Sequence, residues 1–438
     1  MINYENRPCV PGLFILQNKY YNKDMKKLVP QSIKNIYHLC QAILANFWYG
    51  FPSRKLKVIG VTGSDGKTTT VQMIAKILEE AGKKLAVAST INFRINGSEE
   101  KNLSHYTTES SFAVQKFMRK AVESGCEYLV LETSSHSLDQ YRVWGIKYQT
   151  AVVTNVTREH LDYHKTMEKY RQAKRKLFEN AKTAIINLDM ESPEEFLNIA
   201  TGRKFTYSLK DSRADVLAEN IELGIDYSKF KIQNSKFILN IPGEFNIENA
   251  LAATCVGISE NIDLETISQA LEKIKGIPGR MESIHNKKGL NIIVDFALTP
   301  NALDKLYSLL FSIKKEGAKI IAVFGSCGER DRGKRPIMGE IVSKSADFMI
   351  ITDDEPYHEN PKQIIEEIVA GIKNKKENET FWKISDRREA IHKALEIAKS
   401  GDTVVVTGMG AEESMVVGDK KIPWNDRKVI EEELQKFQ

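Results

Sequence analysis

Apolar positions change their spacing several times along the chain, and the changes outline an architecture. From Pro30 onward Ile33, Ile36, Tyr37, Cys40, Ile43, Leu44 and Phe47 recur at helical spacing, and Gly50 and Pro52 close the run. The pattern predicts an amphipathic helix. Its Lys-rich flank and Phe47-Trp48-Tyr49 end leave a membrane-surface seat open, but packing against the domain that follows is the simpler expectation. Residues 1 to about 29 show no clear period and predict an irregular arm. Residues 57–61 form a β-branched run, a glycine loop follows, and 68–81 is helical up to a stop at Gly82. Apolar runs at 85–88, 128–131, 151–154 and 184–187 then alternate with helical stretches, the pattern of a parallel sheet with crossover helices.

Between 203 and 242 the runs shorten (205–208 and 237–241), which predicts an antiparallel side element, and a helix begins near Phe245. Gly276-Ile277-Pro278-Gly279 breaks the pattern. Alternation restarts with strands expected at 290–296, 319–324, 348–351 and 403–407. A chain of 438 residues suits two or three domains. We divide it into a short arm and linker helix at 1–55, a central domain at 56–281 and a second α/β domain at 282–438.

Composition narrows the function classes. Lys plus Arg total 63 against 58 acidic residues, so a net charge of +5 is spread over a large surface and no nucleic-acid partner is expected. Cys9, Cys40, Cys126, Cys255 and Cys327 are distant from one another and odd in number, against a disulfide framework or zinc ribbon and in favour of a reducing cytoplasm. No secretory pattern opens the sequence and no apolar window has bilayer length, so no membrane insertion is expected.

The chemistry begins after the first strand, at Gly63-Ser64-Asp65-Gly66-Lys67-Thr68-Thr69. A nucleoside triphosphate needs converging backbone N–H groups, a lysine near its terminal phosphates and a hydroxyl for Mg²⁺, and this loop supplies all three at a helix start. Its spacing is shorter than the common phosphate-loop pattern.

That loop resembles the Gly-Thr-(Asn or Asp)-Gly-Lys-Thr-(Ser or Thr) loop of the Mur ligases and folylpolyglutamate synthases. The run from Leu131 to Arg142, the run Thr154-Asn155-Val156-Thr157-Arg158-Glu159-His160 up to His164, Pro278-Gly279-Arg280-Met281-Glu282 and Gly328-Glu329-Arg330 up to Pro336 are similar to the UDP-N-acetylmuramoyl-tripeptide synthetases of the Mur ligase family. The likeness runs from about residue 45 to the end. It implies an α/β fold, with a central P-loop ATPase domain built on a mainly parallel sheet and a C-terminal Rossmann-like α/β domain. The function it implies is ATP-dependent addition of an amino acid to a UDP-N-acetylmuramoyl dipeptide through an acyl phosphate, with ATP and Mg²⁺, in a cytoplasmic monomer.

Phosphoryl transfer to a carboxylate gathers negative charge, so metal ions and cationic side chains must offset it. Glu132 closes one expected strand and His160 follows another, at the carboxyl edge where open α/β sheets bind ligands. The resemblance implies that Lys67, Glu132, His160 and Lys174 carry the chemistry, and that Thr68, Glu132, His160 and a carbamylated Lys174 hold Mg²⁺. It implies that Asn246, Asn249, Arg280 and Asp295 meet the nucleotide beside the glycine loop. On the donor side it points to Thr107, Thr108, Ser134, Gln140 and Arg142. On the acceptor side it points to Arg330, Asp354, Glu355, Pro356, Tyr357, Gly408 and Glu412. His136 and His164 lie in the same motifs without an assigned role.

Several positions depart from the family pattern. Tyr106 stands where an Asn is usual, and Leu298 where a His is. Fewer than sixty residues precede the first expected strand, where the family has a full uridine-binding domain. Asp354-Glu355-Pro356-Tyr357 replaces the Asp-Asn-Pro-Arg of enzymes that add diaminopimelate, and a tyrosine cannot grip a distal carboxylate as an arginine does. Diaminopimelate is therefore disfavoured as acceptor, and Glu355 suits a cationic side chain such as lysine or ornithine. Two alternatives stay open: a Mur-like ligase on another carboxylate, as in folylpolyglutamate synthesis, and a non-catalytic nucleotide-binding scaffold.

Overall fold

The computed structural model describes residues 29–437, so the arm expected at the start of the chain falls outside the described residues except for Val29. The first described element is the helix Gln31–Tyr49, which ends at Gly50 in the left-handed conformation. It packs beside the helix Ser111–Glu123, but the face it buries is Ala42, Ala45 and Asn46. Ile33, Ile36, Tyr37, Leu44 and Phe47, the positions that made the helix legible, are exposed. Small residues allow close approach on one side, and the apolar stripe is left on the other.

A nine-stranded sheet follows. Its strands are β1 (Lys57–Thr62), β2 (Leu85–Ala88), β3 (Asn92–Ile95), β4 (Ser98–Lys101), β5 (Tyr128–Glu132), β6 (Tyr148–Val153), β7 (Thr183–Asn187), β8 (Arg203–Ser208) and β9 (Val216–Leu217). Their order is β4-β3-β2-β5-β1-β6-β7-β8-β9. All pairings are parallel except the β2-β3-β4 meander at one edge. The run at 205–208 was expected in an antiparallel side element; it is instead a parallel strand of this sheet, β8. The antiparallel element is β10 (Glu219–Leu223), β11 (Ser228–Ile232) and β12 (Ser235–Leu239).

Alternation along β1 explains the layering. Ile59 and Val61 enter one apolar core with the helices Lys67–Glu80 and Glu244–Ser259, and Val58 enters the core on the opposite face. Each such buried Val or Ile contributes about 1.5–3 kcal/mol relative to an exposed one.

The second sheet comprises β13 (Glu282–Ile284), β14 (Asn291–Asp295), β15 (Ile320–Phe324), β16 (Phe348–Ile351), β17 (Phe381–Lys383) and β18 (Thr403–Thr407), in the order β13-β14-β18-β15-β16-β17. Only β13 runs antiparallel to its neighbour. A hairpin of β19 (Ser414–Val417) and β20 (Lys420–Pro423) projects beyond it. The fold is α/β, with a phosphate-loop domain followed by a Rossmann-like one. Among the described residues no helix is long and apolar enough to cross a membrane.

Candidate active site

The carboxyl ends of β5, β1 and β6 lie side by side, because chain order reverses across β1. Their loops therefore converge. Gly63 has φ +154, and a Cβ there would lie 1.8 Å from Thr154 Oγ1; at Gly66, φ +81, it would lie 2.2 Å from Asn249 Oδ1. Only glycine admits both the backbone shape and these contacts. Gly66 precedes the helix Lys67–Glu80, whose first-turn N–H groups have no intrahelical acceptor. Lys67 Nζ curls over the loop, donating to Gly63 O at 3.0 Å and Ser64 O at 2.8 Å.

Glu132 at the end of β5 accepts from Thr68 Oγ1 at 3.1 Å on both oxygens, from Thr90 N at 2.9 Å and from Thr90 Oγ1 at 3.0 Å. His160 follows β6 with φ +56, and its Nδ1 is buried without a partner. Burial and then His136, Lys174 and Lys67 hold its pKa well below the usual imidazole range. An anionic oxygen, a hydroxyl and an orphaned neutral imidazole suit a hard divalent cation whose remaining ligands come from phosphate and water, so these residues fit Mg²⁺. His136 stacks edge-on to His160, 4.7 Å between centroids, and His164 Nε2 lies 3.0 Å from Ser135 Oγ.

Lys174 is 1 % exposed; its Nζ donates to Gly63 O at 2.6 Å and lies 4.3 Å from the Tyr170 ring centroid. Burial and then Lys67 lower its pKa well below the ordinary lysine value. Among the described residues its ammonium makes no ion pair, and Asp65 and Glu159 favour the charged form only from farther off.

From the other sheet, Arg280 reaches Thr68 Oγ1 at 3.3 Å while its guanidinium lies over the Phe296 ring. Asp295 at the end of β14 accepts from Met281 N and Ala297 N, both at 2.7 Å. Asn246 and Asn249, in the first turns of Glu244–Ser259, are buried beside the glycine loop. Asp65 spans the cleft: its carboxylate accepts from Thr299 Oγ1 at 3.2 Å and Asn301 Nδ2 at 3.1 Å. Lys334 Nζ, 3.4 Å from Glu159 Oε1, makes a second crossing.

Loops after β15, β16 and β18 supply the remaining wall with Arg330, Asp354, Glu355, Tyr357, Gly408 and Glu412. Burial, then repulsion by Asp354, raises Glu355 to about 7; Tyr357 donates to it at 3.2 Å. Burial and then Glu355 raise Glu412 to about 7. His105, from the loop after β4, enters this wall from the first domain: Nδ1 is 3.1 Å from Glu412 Oε2 and 3.6 Å from Glu355 Oε1, and Nε2 is 2.6 Å from Ser414 Oγ.

A cavity of about 310 Å³ joins these groups. Of the residues expected at the site, Gly63, Thr108, Ser134, Gln140, Arg142, Lys174 and Pro356 do not line it. Thr108, Ser134 and Arg142 form its frame. Thr108 Oγ1 binds Glu132 O and receives Ser134 N, and Arg142 Nη1 donates to Thr108 O. Thr107 Oγ1 meets Thr90 Oγ1 at 3.3 Å. Sequence reasoning missed His105, Thr90, Glu159, Thr299, Asn301 and Lys334. Lys334 and Glu159 stood inside quoted motifs, and the others carried no spacing signal.

Residues 61–257 match the model of the Mur ligase middle domain, and 279–410 match that of the Mur ligase glutamate ligase domain. A UDP-N-acetylmuramoyl-L-alanyl-D-glutamate–2,6-diaminopimelate ligase from Clostridium botulinum is 40% identical over 402 residues, covering 90% of this chain and 81% of that one. The chain belongs to the Mur ligase family. Mur ligases are ATP-dependent enzymes that form amide bonds, and this Mur ligase is an ATP-dependent acid–amino-acid ligase. A UDP-N-acetylmuramyl-tripeptide synthetase from Roseiflexus sp. is 34% identical over 470 residues, 97% of this chain and 92% of that one. A solved UDP-N-acetylmuramoyl-L-alanyl-D-glutamate–2,6-diaminopimelate ligase structure superposes with TM-score 0.60 at 32% identity, covering 87% of this chain and 79% of that one.

Proposed function

We propose that this Mur ligase adds the third residue to a UDP-N-acetylmuramoyl dipeptide, with an acceptor other than diaminopimelate. The observation that carries the reading is one cavity joining a phosphate loop, Glu132 and Arg280 to the acidic wall of Asp354, Glu355 and Glu412. The dividing lines at 55/56 and 281/282 are part of the proposal: they separate a nucleotide-holding unit from the unit that carries the acceptor wall. A reaction that consumes ATP fits the cytoplasm, where ATP is made.

In this reading the first-turn N–H groups of Lys67–Glu80 and Lys67 Nζ hold the ATP phosphates, with Asn246, Asn249 and Asp295 around the nucleoside. Thr68, Glu132, His160 and a carbamylated Lys174 would hold Mg²⁺, which when bound supplies neutralising charge to the phosphates and the donor carboxylate. Arg280 sits where charge accumulates as the γ-phosphoryl moves to that carboxylate. Thr107 meets the donor, and Arg142 positions that wall through the Thr108 carbonyl, with Gln140 behind it. The amine then attacks the acyl carbon, an amide forms, and the bond to orthophosphate breaks. Domain contact through Asp65 and Lys334 keeps water from the acyl phosphate.

The acceptor follows from side-chain chemistry. Tyr357 offers a hydroxyl already given to Glu355 and no positive charge of its own, whereas Glu355 adds an anion there. Arg330 remains to meet the α-carboxylate, and Glu412 to meet the α-amine. Lysine or ornithine fits such a wall.

Phosphate release from ATP with a panel of nucleotide peptides and amino acids tests the function. Release that depends on both a UDP-N-acetylmuramoyl dipeptide and a diamino monocarboxylic acid is expected. Release with neither partner would favour a scaffold with idle ATPase, and equal turnover of diaminopimelate would sink the acceptor assignment.

A further inference from the structure

Resting on that ligase reading, we propose that His105 and Glu412 form the proton-accepting pair for the incoming amine, assembled from two domains. The acceptor's amine reaches the enzyme as an ammonium ion and has no lone pair to attack with until a proton is removed. An unprotonated base must therefore stand within hydrogen-bond reach, directly or through one relay.

His105 comes from the first domain, in the loop that joins β4 to Thr107. Asn102 shapes this loop by donating to Ser89 O and Tyr106 O. The loop is clasped to the β19–β20 hairpin: Lys101 Nζ pairs with Glu413 at 2.5 Å, and Lys421 Nζ donates to Leu103 O at 3.3 Å. These bonds deliver the imidazole into the acceptor wall. A clasp alone would not require an imidazole aimed at Glu412.

The proposed route uses the tautomer with hydrogen on Nε2, 2.6 Å from Ser414 Oγ, which leaves Nδ1, 3.1 Å from Glu412 Oε2, free to accept. The proton route then balances. The ammonium gives one proton to Glu412, and the carboxyl passes it to Nδ1, leaving an imidazolium. The freed nitrogen lone pair makes the C–N bond at the acyl carbon. As the C–O bond to phosphate breaks, a second N–H proton leaves with orthophosphate, and the third stays on the amide.

Charged groups face the pair from several elements. Glu355 and Asp354 face Glu412 from the acceptor wall, Arg280 from the interdomain connection, and Lys421 from the hairpin. Burial and then Lys421 hold His105 below the ordinary imidazole pKa, so it is neutral and able to accept. Glu412 titrates near about 7, a poise at which it takes up and releases a proton readily.

The test uses full-length protein, ATP, Mg²⁺, UDP-N-acetylmuramoyl-L-alanyl-D-glutamate and two nucleophiles: the best amino acid of the panel above, and hydroxylamine, which is unprotonated at neutral pH and needs no base. In His105→Gln, amino-acid ligation should fall about 100-fold, with a displaced acid limb in its pH profile, while hydroxamate formation holds at the wild-type rate. Ser414→Ala should show the same split with a smaller loss. Equal loss with both nucleophiles would reduce His105 to a clasp, and unchanged amino-acid turnover would also overturn the proposal. If wild-type protein makes no hydroxamate, it is the ligase reading that fails and not the role of His105.

Discussion

Lys174 Nζ lies 2.6 Å from the carbonyl oxygen of Gly63, in full burial and, among the described residues, with no carboxylate at ion-pair distance, although Asp65 and Glu159 favour its charge from farther off. An ammonium so placed loses its hydration without an ionic partner, which is costly. Carbamylation would replace that ammonium by an oxygen-bearing anion beside the phosphate loop, whose charge a bound Mg²⁺ would offset. Lys174→Ala should abolish ligation and leave a cavity that small carboxylates can enter. Restoration of part of the activity by formate or acetate, and none by chloride, is the expected outcome. Intact activity in Lys174→Ala or Lys174→Arg would remove the modification from the mechanism.

Asp65 is the hinge of a second prediction, because one carboxylate receives Thr299, Asn301 and Thr157 from both sides of the cleft. Each hydrogen bond to a charged group is worth about 1.5–3 kcal/mol when buried and less when solvent reaches it. Asp65→Ala should raise KM for ATP about tenfold or more and expand the particle in small-angle scattering, with the melting temperature nearly unchanged. A compact particle with wild-type KM would show that other contacts suffice to close the cleft.

Acceptor choice should respond to one side chain. Tyr357→Arg places a guanidinium where a distal carboxylate would lie and should favour diaminopimelate over lysine by about tenfold relative to wild type. Competition between the two acceptors, read by mass spectrometry of the product, measures the shift. No change in product ratio would locate the discrimination elsewhere.

The acidic wall sets a pH dependence. Glu355 and Glu412 each titrate near about 7 in the folded protein, above the ordinary carboxylate value. The folded state therefore holds protons that the unfolded chain has already released, and stability contributed by these groups is lost as pH rises toward that value. A cationic acceptor acts in the opposite direction, because it binds the ionised wall. Acceptor affinity should increase through the same window, with protons expelled on binding about one pH unit below it. Calorimetry in two buffers of different ionisation enthalpy checks this; identical heats would mean that the carboxylates were already ionised.

Much of this site was written locally. The β-branched run of β1, the loop that needs glycine at 63 and 66, and the helix that follows are neighbours in sequence, so their spacing carried the meaning. Glu132 and His160 were legible because strands flanking β1 must end at the same edge. His105, Thr299 and Asn301 were not, because their partners lie hundreds of residues away and no period marks a contact across a cleft. The helix Gln31–Tyr49 shows another limit: an apolar stripe says which face avoids water, but shape decided that Ala42 and Ala45 would be buried instead. At 205–208 the brevity of the run suggested a hairpin, yet pairing with Thr183–Asn187 drew it into the large sheet.

Gly279 fixes where Arg280 belongs. A Cβ at Gly279 would lie 2.2 Å from Ala411 N, and Phe296 N donates to Gly279 O at 2.9 Å. The connecting segment is thus fastened to the second domain before that domain's first strand begins. Whenever the domains part, Arg280 leaves the phosphate loop at the same moment that Glu412 leaves His105. On the proposed mechanism, an open molecule would lack both the cation for activating the acid and the base for using it. Fuel consumption and bond formation would then be interlocked by a glycine that does not line the cavity.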